Sequence, residues 1–474
     1  MSLKKNVISN FILTASTFIF PLISLPYITR TLSTASIGQF FYIDSFTQYF
    51  ILFSAIGIPY YGVREVAKLK FDRQRISQFV IELVIIQFAL SFIFCGLFLT
   101  FPFFIKTLRA SSDLIRIGCI TIVSNAFLIE WFYQGIENFS YITVRSIVIK
   151  SLSVIMILFL VVNKNDSNIY YLILALTVLA NAVLNFGNFI GKHYANFKFE
   201  SKIFWHLRPL WILFSINISV SLYTLMDTII LGSMTNPVQV SYYNIPLKIV
   251  KLFFSVMGGI GLVFIPRMSS FFVDNDIKGI QNLMTKSISI VLLLGIPFFL
   301  VGFFFPEEIL FVVSGKQYIH AKVALQILAI VPLIIGLNNV FGTQYLLAIG
   351  REKKILYATI FGFFGSLILN ICLIPHYGFV GSSIACVLAE LIVCIIIFKS
   401  AKDTIKINVD FNLLFLIIVS SIFALVFLLI FKNISNQILL MIFTGLCYVC
   451  SFGLFQIFIF KNGFINSIIK FRSR

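Results

Sequence analysis

Four charged side chains stand where a membrane-spanning chain should carry none. Asp44, Asp227, Lys248 and Lys251 each lie inside an apolar stretch long enough to cross a bilayer. A charge at the centre of a membrane helix costs about 2.5–3.5 kcal/mol on insertion scales, so such residues turn toward a bundle interior or a wet cavity and mark substrate or ion pathways. Lys248 and Lys251 are three residues apart and share one helix face, which Ser255 continues. Two like charges on one face repel unless an anion or an acid is near, which makes them candidate cavity cations. The opposing reading puts both at the outer interface. Asp227 shares a face with Tyr223 and is spaced to pair with Lys248 or Lys251, and Asp44 shares a face with Gln48. A buried carboxylate of this kind either takes up and releases a proton, coupling ion flow to movement, or remains a fixed counter-ion. The sequence leaves both roles open.

The elements that position these groups must be membrane helices. The chain has 474 residues, 59% hydrophobic and 11% charged, with 56 Phe and a mean hydropathy of +1.01. No soluble domain buries that much apolar surface. No polar block is long enough to fold alone, which disfavours an enzyme built on a large extramembrane domain. The net charge of +18 comes from Lys and Arg dispersed along helix ends rather than gathered on a soluble face, so no nucleic-acid partner is expected. The four His are scattered and the seven Cys fall in apolar segments. There is no metal-ligand spacing and no nucleotide-binding motif, so no cofactor is expected.

Apolar windows of about twenty residues mark the spans. Fourteen are expected: 6–28, 38–62, 78–104, 114–135, 143–163, 169–191, 209–233, 246–266, 286–305, 322–348, 355–374, 380–398, 411–431 and 437–460. The first is too long for a signal-peptide core and is expected to be retained. Placing both termini in the cytoplasm puts most Lys and Arg on the cytoplasmic side, as the positive-inside bias requires. Spans 1–6 and 7–12 resemble two copies of one unit. Trp131 to Glu137 closes span 4 as Leu346 to Glu352 closes span 10, and spans 2 and 8 open on aromatic pairs, Phe40-Phe41 and Tyr242-Tyr243. An even number of spans per copy makes the repeats parallel, with a cleft between them that rocking would expose to each side in turn. The expected organisation is therefore an all-α polytopic bundle with two six-helix lobes around a central cavity. The lobes are 1–191 and 209–398, joined by a cytoplasmic linker at 192–208. Residues 399–474 supply two extra C-terminal spans and a tail.

The segment Pro21-Leu22-Ile23-Ser24-Leu25-Pro26-Tyr27-Ile28-Thr29-Arg30, with Ile37-Gly38-Gln39-Phe40 and Gln48-Tyr49-Phe50 after it, resembles the start of bacterial polysaccharide flippases of the O-antigen type. Gly57-Ile58, Tyr61-Gly62 and Arg64-Glu65 match the same family. So do Gln134-Gly135 with Glu137 and Tyr141, and Asn370 through Pro375 with Tyr377-Gly378, Gly381 and Ala389-Glu390. These flippases belong to the multidrug/oligosaccharidyl-lipid/polysaccharide exporter superfamily. The resemblance is strongest in the first 150 residues. It implies residence in the bacterial inner membrane and movement of an undecaprenyl-diphosphate-linked oligosaccharide, such as an O-antigen repeat unit, from the cytoplasmic to the outer leaflet. A polysaccharide polymerase and its chain-length machinery are the implied protein partners, and many relatives are drawn with twelve spans.

A diphosphate crossing a low-dielectric core needs fixed cations to replace its solvation. Arg30, at the end of span 1 after Pro21 and Pro26, is a candidate grip for the diphosphate or a sugar acid, or a snorkelling residue at the headgroups. Tyr27, Tyr42, Tyr49 and Tyr223 offer ring faces and hydroxyls suited to sugars. Glu130, Arg145 and Lys150 read as an ion-pair group within the first lobe. Trp131, Trp205 and Trp211 are expected at the interface. Two other functions compete: a multidrug antiporter on the same scaffold, which calls for an acidic cavity, and a membrane polymerase or ligase, which calls for a long outer loop.

Overall fold

The computed structural model describes residues 3–69, 72–109, 111–194, 203–261, 264–407, 410–430, 443 and 446–452. Within these, the side chains of 3–5, 7–8, 106, 203–204, 212–213, 215–224, 256 and 258–261 are not described. The described residues are helices and short connections, without a strand. That follows from the solvent: lipid offers no hydrogen bonds, so each span must satisfy its backbone internally.

The first eleven helices run in chain order as α1 (Leu3–Thr31), α2 (Thr34–Ala55), α3 (Ile58–Lys68), α4 (Arg73–Phe104), α5 (Lys106–Arg109), α6 (Ser112–Asn125), α7 (Glu130–Gly135), α8 (Phe139–Leu160), α9 (Ser167–Asn188), α10 (Ile203–Met234) and α11 (Pro237–Gly261). Then follow α12 (Phe264–Val273), α13 (Ile277–Phe304), α14 (Pro306–Ser314), α15 (Lys322–Leu328), α16 (Val331–Asn338), α17 (Glu352–Lys402) and α18 (Phe411–Ile430). A π-helical segment, Phe189–His193, extends α9, and another, Asn339–Leu346, extends α16. Ten segments among the described residues are long and apolar enough to span, and the Leu225–Met234 part of α10 is a further, shorter apolar stretch. The expected spans 1–6 correspond to the first six of them. Expected spans 11 and 12 both fall within α17, which Gly378 divides at φ 55° and ψ −129°. Only glycine takes that conformation without strain. The kink frees the Phe379 N–H, which donates to Gln239 Oε1 at 3.0 Å. Most of expected span 14 lies outside the described residues.

The exposed helix faces are apolar, and the buried faces mix apolar with polar side chains. On α8, Val144, Val148, Leu152, Ile155 and Phe159 form an exposed stripe at helical spacing, while Arg145, Ser146, Ile149, Ser153 and Ile157 face inward and are buried. On α17, Tyr357, Phe361, Phe364, Ile368 and Ile371 are exposed while Thr359, Ser366 and Asn370 are buried. Lipid tails accept the first set, and burial against neighbouring helices protects the second.

Contacts divide the chain into two units. The first comprises Met1–Lys248, Val313–His320 and Thr359–Ala389; the second comprises Ile249–Val312, Ala321–Ala358 and Glu390–Arg474. In the first unit α1 packs on α8, α2 on α4, α6, α9 and α10, and α3 on α7. In the second, α13 is the hub for α12, α15, α16 and α18. These bounds are not those of the two repeats read from the sequence. One expectation is corrected here. Trp131 is buried at 5% exposure, its ring edge-on to Phe79 and filling the space a side chain at Gly62 would need. Trp205 and Trp211 are exposed.

Gly38 is required by packing. A Cβ there would fall on the backbone carbonyl of Pro237, so α2 and the start of α11 approach backbone to backbone. Gly38→Ala is expected to cost about 1–3 kcal/mol through overpacking, read as a lower thermal midpoint in detergent. Gly187→Ala, with nothing within 4 Å of the added methyl, is the comparison and should show no loss.

Candidate functional site

Inside the first unit α1, α8, α9 and α11 line a half-open cavity of about 290 Å³. Two cations face it, Lys150 from α8 and Lys248 from α11. Hydroxyls surround them: Ser16, Thr17 and Ser24 on α1, Ser153 on α8, and Tyr170 and Thr177 on α9. The spacing explains the convergence. Ser16, Phe20 and Ser24 rise four residues at a time along one face of α1, and Tyr170, Leu174 and Thr177, spaced by four and then three, share one face of α9. Lys150 Nζ donates to Ser16 Oγ at 3.1 Å. Lys248 Nζ lies 4.7 Å from the centroid of the Phe41 ring, whose negative face steadies a cation without neutralising it. Lys248 also lies in electrostatic reach of Asp44, which is half-buried and accepts from Gln48 Nε2 at 3.3 Å. Phe20, Leu25, Ile28, Val154, Ile157 and Leu174 complete a wall that is mostly apolar. The hollow thus sets two ammonium groups and several hydroxyls among apolar side chains and suits a ligand with an anionic, hydroxylated head on an apolar tail.

A second polar centre surrounds Asp227, 4% exposed. Its carboxylate accepts from Tyr243 OH at 2.8 Å, Ser366 Oγ at 2.7 Å and Asn370 Nδ2 at 2.7 Å. Ser382 Oγ donates to Asn370 Oδ1 at 3.0 Å and so fixes the orientation of that amide. Three neutral donors hold the acceptor oxygens of one carboxylate in place.

The remaining expected site residues are dispersed. Tyr27 braces α1 on the end of α8, its hydroxyl 2.9 Å from both the Leu158 and Val161 carbonyls. Tyr42 is buried, with hydrogen bonds to Thr107 at 3.2 Å and Ser233 at 2.9 Å. Tyr49 is half-buried and stacks on Phe53. Arg30 is exposed and donates from Nη1 to the Pro26 carbonyl at 2.9 Å. Lys251 is exposed, and its carbonyl accepts from Ser255. The side chain of Tyr223 lies outside the described residues. Of the expected ion-pair group, Arg145 Nη2 donates to Glu130 Oε1 at 2.6 Å, while the hydrogen bond of Lys150 goes to Ser16.

Lys150, Ser366 and Asn370 carry more of these two centres than the sequence reading gave them. The available signal was Lys150 within an apolar span beside Ser151 and Ser153, and Ser366 four residues before Asn370. The Glu130–Arg145 pair ties α7 to α8. Arg145 is 4% exposed as a side chain, so Glu130→Gln would leave a buried guanidinium without its carboxylate, at about 3–5 kcal/mol. We expect the thermal midpoint to fall accordingly, with Glu130→Asp falling less.

The bundle has the fold of known lipid and drug transporters. A lipid II flippase, MurJ, in an inward closed conformation superposes with a TM-score of 0.76 at 16% identity, covering 96% of this chain and 98% of its own. An inward-facing multidrug resistance transporter of the MATE family gives 0.60 at 14% identity, covering 81% and 93%. The family profile described as polysaccharide biosynthesis protein matches residues 3–272, and the chain belongs to that family. A MatE profile matches residues 213–372. A protein of Escherichia coli (strain K12) named for O-antigen transport is 25% identical over 399 residues, spanning 83% of this chain and 95% of its own.

Proposed function

We propose that this chain is a flippase that moves an undecaprenyl-diphosphate-linked oligosaccharide across the bacterial inner membrane by alternating access, with both termini cytoplasmic and the two six-span repeats as its moving parts. The observation that carries the reading is the cavity holding Lys150 and Lys248 among six hydroxyl side chains, in a bundle whose outer faces are apolar. Ammonium groups replace the solvation of a diphosphate, and hydroxyls do the same for sugar hydroxyls. At about 290 Å³ the hollow is at the small end of ligand pockets, suited to the charged end of the substrate rather than a whole glycan. Membership of the polysaccharide biosynthesis family and the relative named for O-antigen transport support the same substrate class. Asp227, with its three donors, is the proposed ion-coupling group, and Asp44, beside Lys248, is a second candidate.

The test is reconstitution. Proteoliposomes carrying a fluorescent undecaprenyl-diphosphate oligosaccharide are treated with a membrane-impermeant quencher, and the protected fraction is followed over time. Loss of protection in vesicles with protein but not in empty vesicles supports the reading. Equal protection in both would sink it. The MatE match over 213–372 favours drug efflux as the second reading, but the cavity lysines repel cationic drugs. Ethidium export by the same vesicles, with no movement of the lipid, would reverse the ranking.

A further inference from the structure

A second polar hollow, of about 640 Å³, is lined by Asn6, Arg73, Phe132, Glu137, Asn138 and His193 among others. Each helix that meets there does so at its end: α1, α4 and α8 begin, and α9 finishes in its π-helical segment. Ends of spanning helices lie at headgroup depth in a bilayer. The site is on the face where α1 starts, and the proposed substrate cavity plays no part in it.

The side chains are held in position. His193 has its ring edge-on to Phe132 at 5.3 Å and to Tyr133 at 6.2 Å. Its carbonyl accepts from Ser77 Oγ at 3.2 Å, which ties the end of the π-helical segment to α4. Arg73 lines the hollow together with His193 and acts electrostatically on it, so the hollow has one cationic side. Glu137 stands at φ 57°, a left-handed position that costs a non-glycine residue about 1–2 kcal/mol, and it is exposed there. Asn138 precedes α8, yet its side chain makes no capping hydrogen bond. Asn6 is 7% exposed and its Oδ1 has no hydrogen-bond partner among the described residues. A buried acceptor without a donor is costly, at about 1–3 kcal/mol. It calls for a ligand that brings an O–H or N–H into the hollow.

We propose that this hollow binds a hydroxyl-bearing phosphate ester, the headgroup of a phosphatidylglycerol-type lipid. The phosphate takes the Arg73 and His193 side, where a guanidinium provides paired donors. A glycerol hydroxyl donates to Asn6 Oδ1, and Asn138 offers its amide to the same glycerol. Headgroup depth favours a lipid over a soluble ester as the source of this chemistry.

Native mass spectrometry of the full-length protein in detergent tests it, with phosphatidylglycerol competing against phosphatidylcholine, which has the phosphate but no hydroxyl. Wild type should retain phosphatidylglycerol at least fivefold over phosphatidylcholine. Arg73→Gln, at an exposed position that the fold does not need, should lower that retention at least fivefold, and Asn6→Leu should do so as well. Arg75→Gln, two residues away and paired with Asp72 at 3.2 Å, should leave it unchanged. Competition by glycerol 3-phosphate at low millimolar concentration would identify a soluble ester as the source and keep the chemistry. Equal retention of the two lipids by wild type, or unchanged retention in Arg73→Gln, would overturn the proposal.

Discussion

Exchanging Lys150 and Lys248 together for glutamine is expected to cut the initial rate of lipid-linked oligosaccharide flipping about 100-fold. Each lysine supplies a charged hydrogen bond to phosphate, worth about 1.5–3 kcal/mol once water is excluded, and about 1.4 kcal/mol is a factor of ten. The two contributions together reach the predicted loss without any change of fold. Lys248→Arg should retain much of the rate, because a guanidinium also fits over the Phe41 ring that Lys248 covers. Lys150→Arg should retain less, since its ammonium is fixed against Ser16 in a space that a longer, planar head does not share. Lys251→Gln, at an exposed position, should alter the rate less than twofold. The measurement is quencher protection in proteoliposomes at matched protein content. A double variant that flips at the wild-type rate would remove the cavity from the mechanism.

Asp227 should show the second large effect, and two substitutions divide it into parts. Asp227→Ala deletes the acceptor of three hydrogen bonds and leaves the Tyr243 and Ser366 hydroxyls aimed at a void, while Asn370 Nδ2 keeps its bond to the Ser366 carbonyl at 2.8 Å. At about 1–3 kcal/mol for each of the two buried hydroxyls left unsatisfied, the loss is at least about 2 kcal/mol, read as a marked fall in thermal midpoint. Asp227→Asn keeps the shape: its amide nitrogen can take the Oδ2 position, where the Tyr243 hydroxyl rotates to accept, while its oxygen still accepts from Ser366 and Asn370. Its stability should stay closer to that of wild type. The charge is gone, however, so flipping should no longer respond to an imposed proton or sodium gradient. A gradient response that survives in Asp227→Asn would show that this carboxylate serves stability alone.

The two centres were legible to different degrees. Asp44, Asp227 and Lys248 stand out in the sequence because each interrupts an apolar span, and the Asp44–Gln48 hydrogen bond follows from i, i+4 spacing on one helix. Lys150 stands out in the same way, yet its Glu130 and Arg145 neighbours suggested a structural ion pair. Tyr27 belongs to a motif that resembles the flippases, and Tyr42 lies between two further segments of that resemblance. Their hydroxyls nevertheless serve as struts, to the Leu158 and Val161 carbonyls in one case and to Thr107 and Ser233 in the other. A tyrosine that braces two helices and one that faces a sugar look alike in a sequence.

The spans themselves belong to the sequence. Lipid requires about twenty apolar residues with their backbone satisfied internally, and that rule is local, so the first six spans and the break near Gly378 follow from composition and turn chemistry. The rotation of each helix about its axis does not. Ser366 and Asn370 reach Asp227 across 139 and 143 residues of chain, and Lys150 meets Ser16 across 134. Which polar side chains share a hollow depends on how helices pack when lipid tails and side chains are equally apolar. There, close backbone approach and buried hydrogen bonds decide the orientation, and both exist only after the bundle has formed.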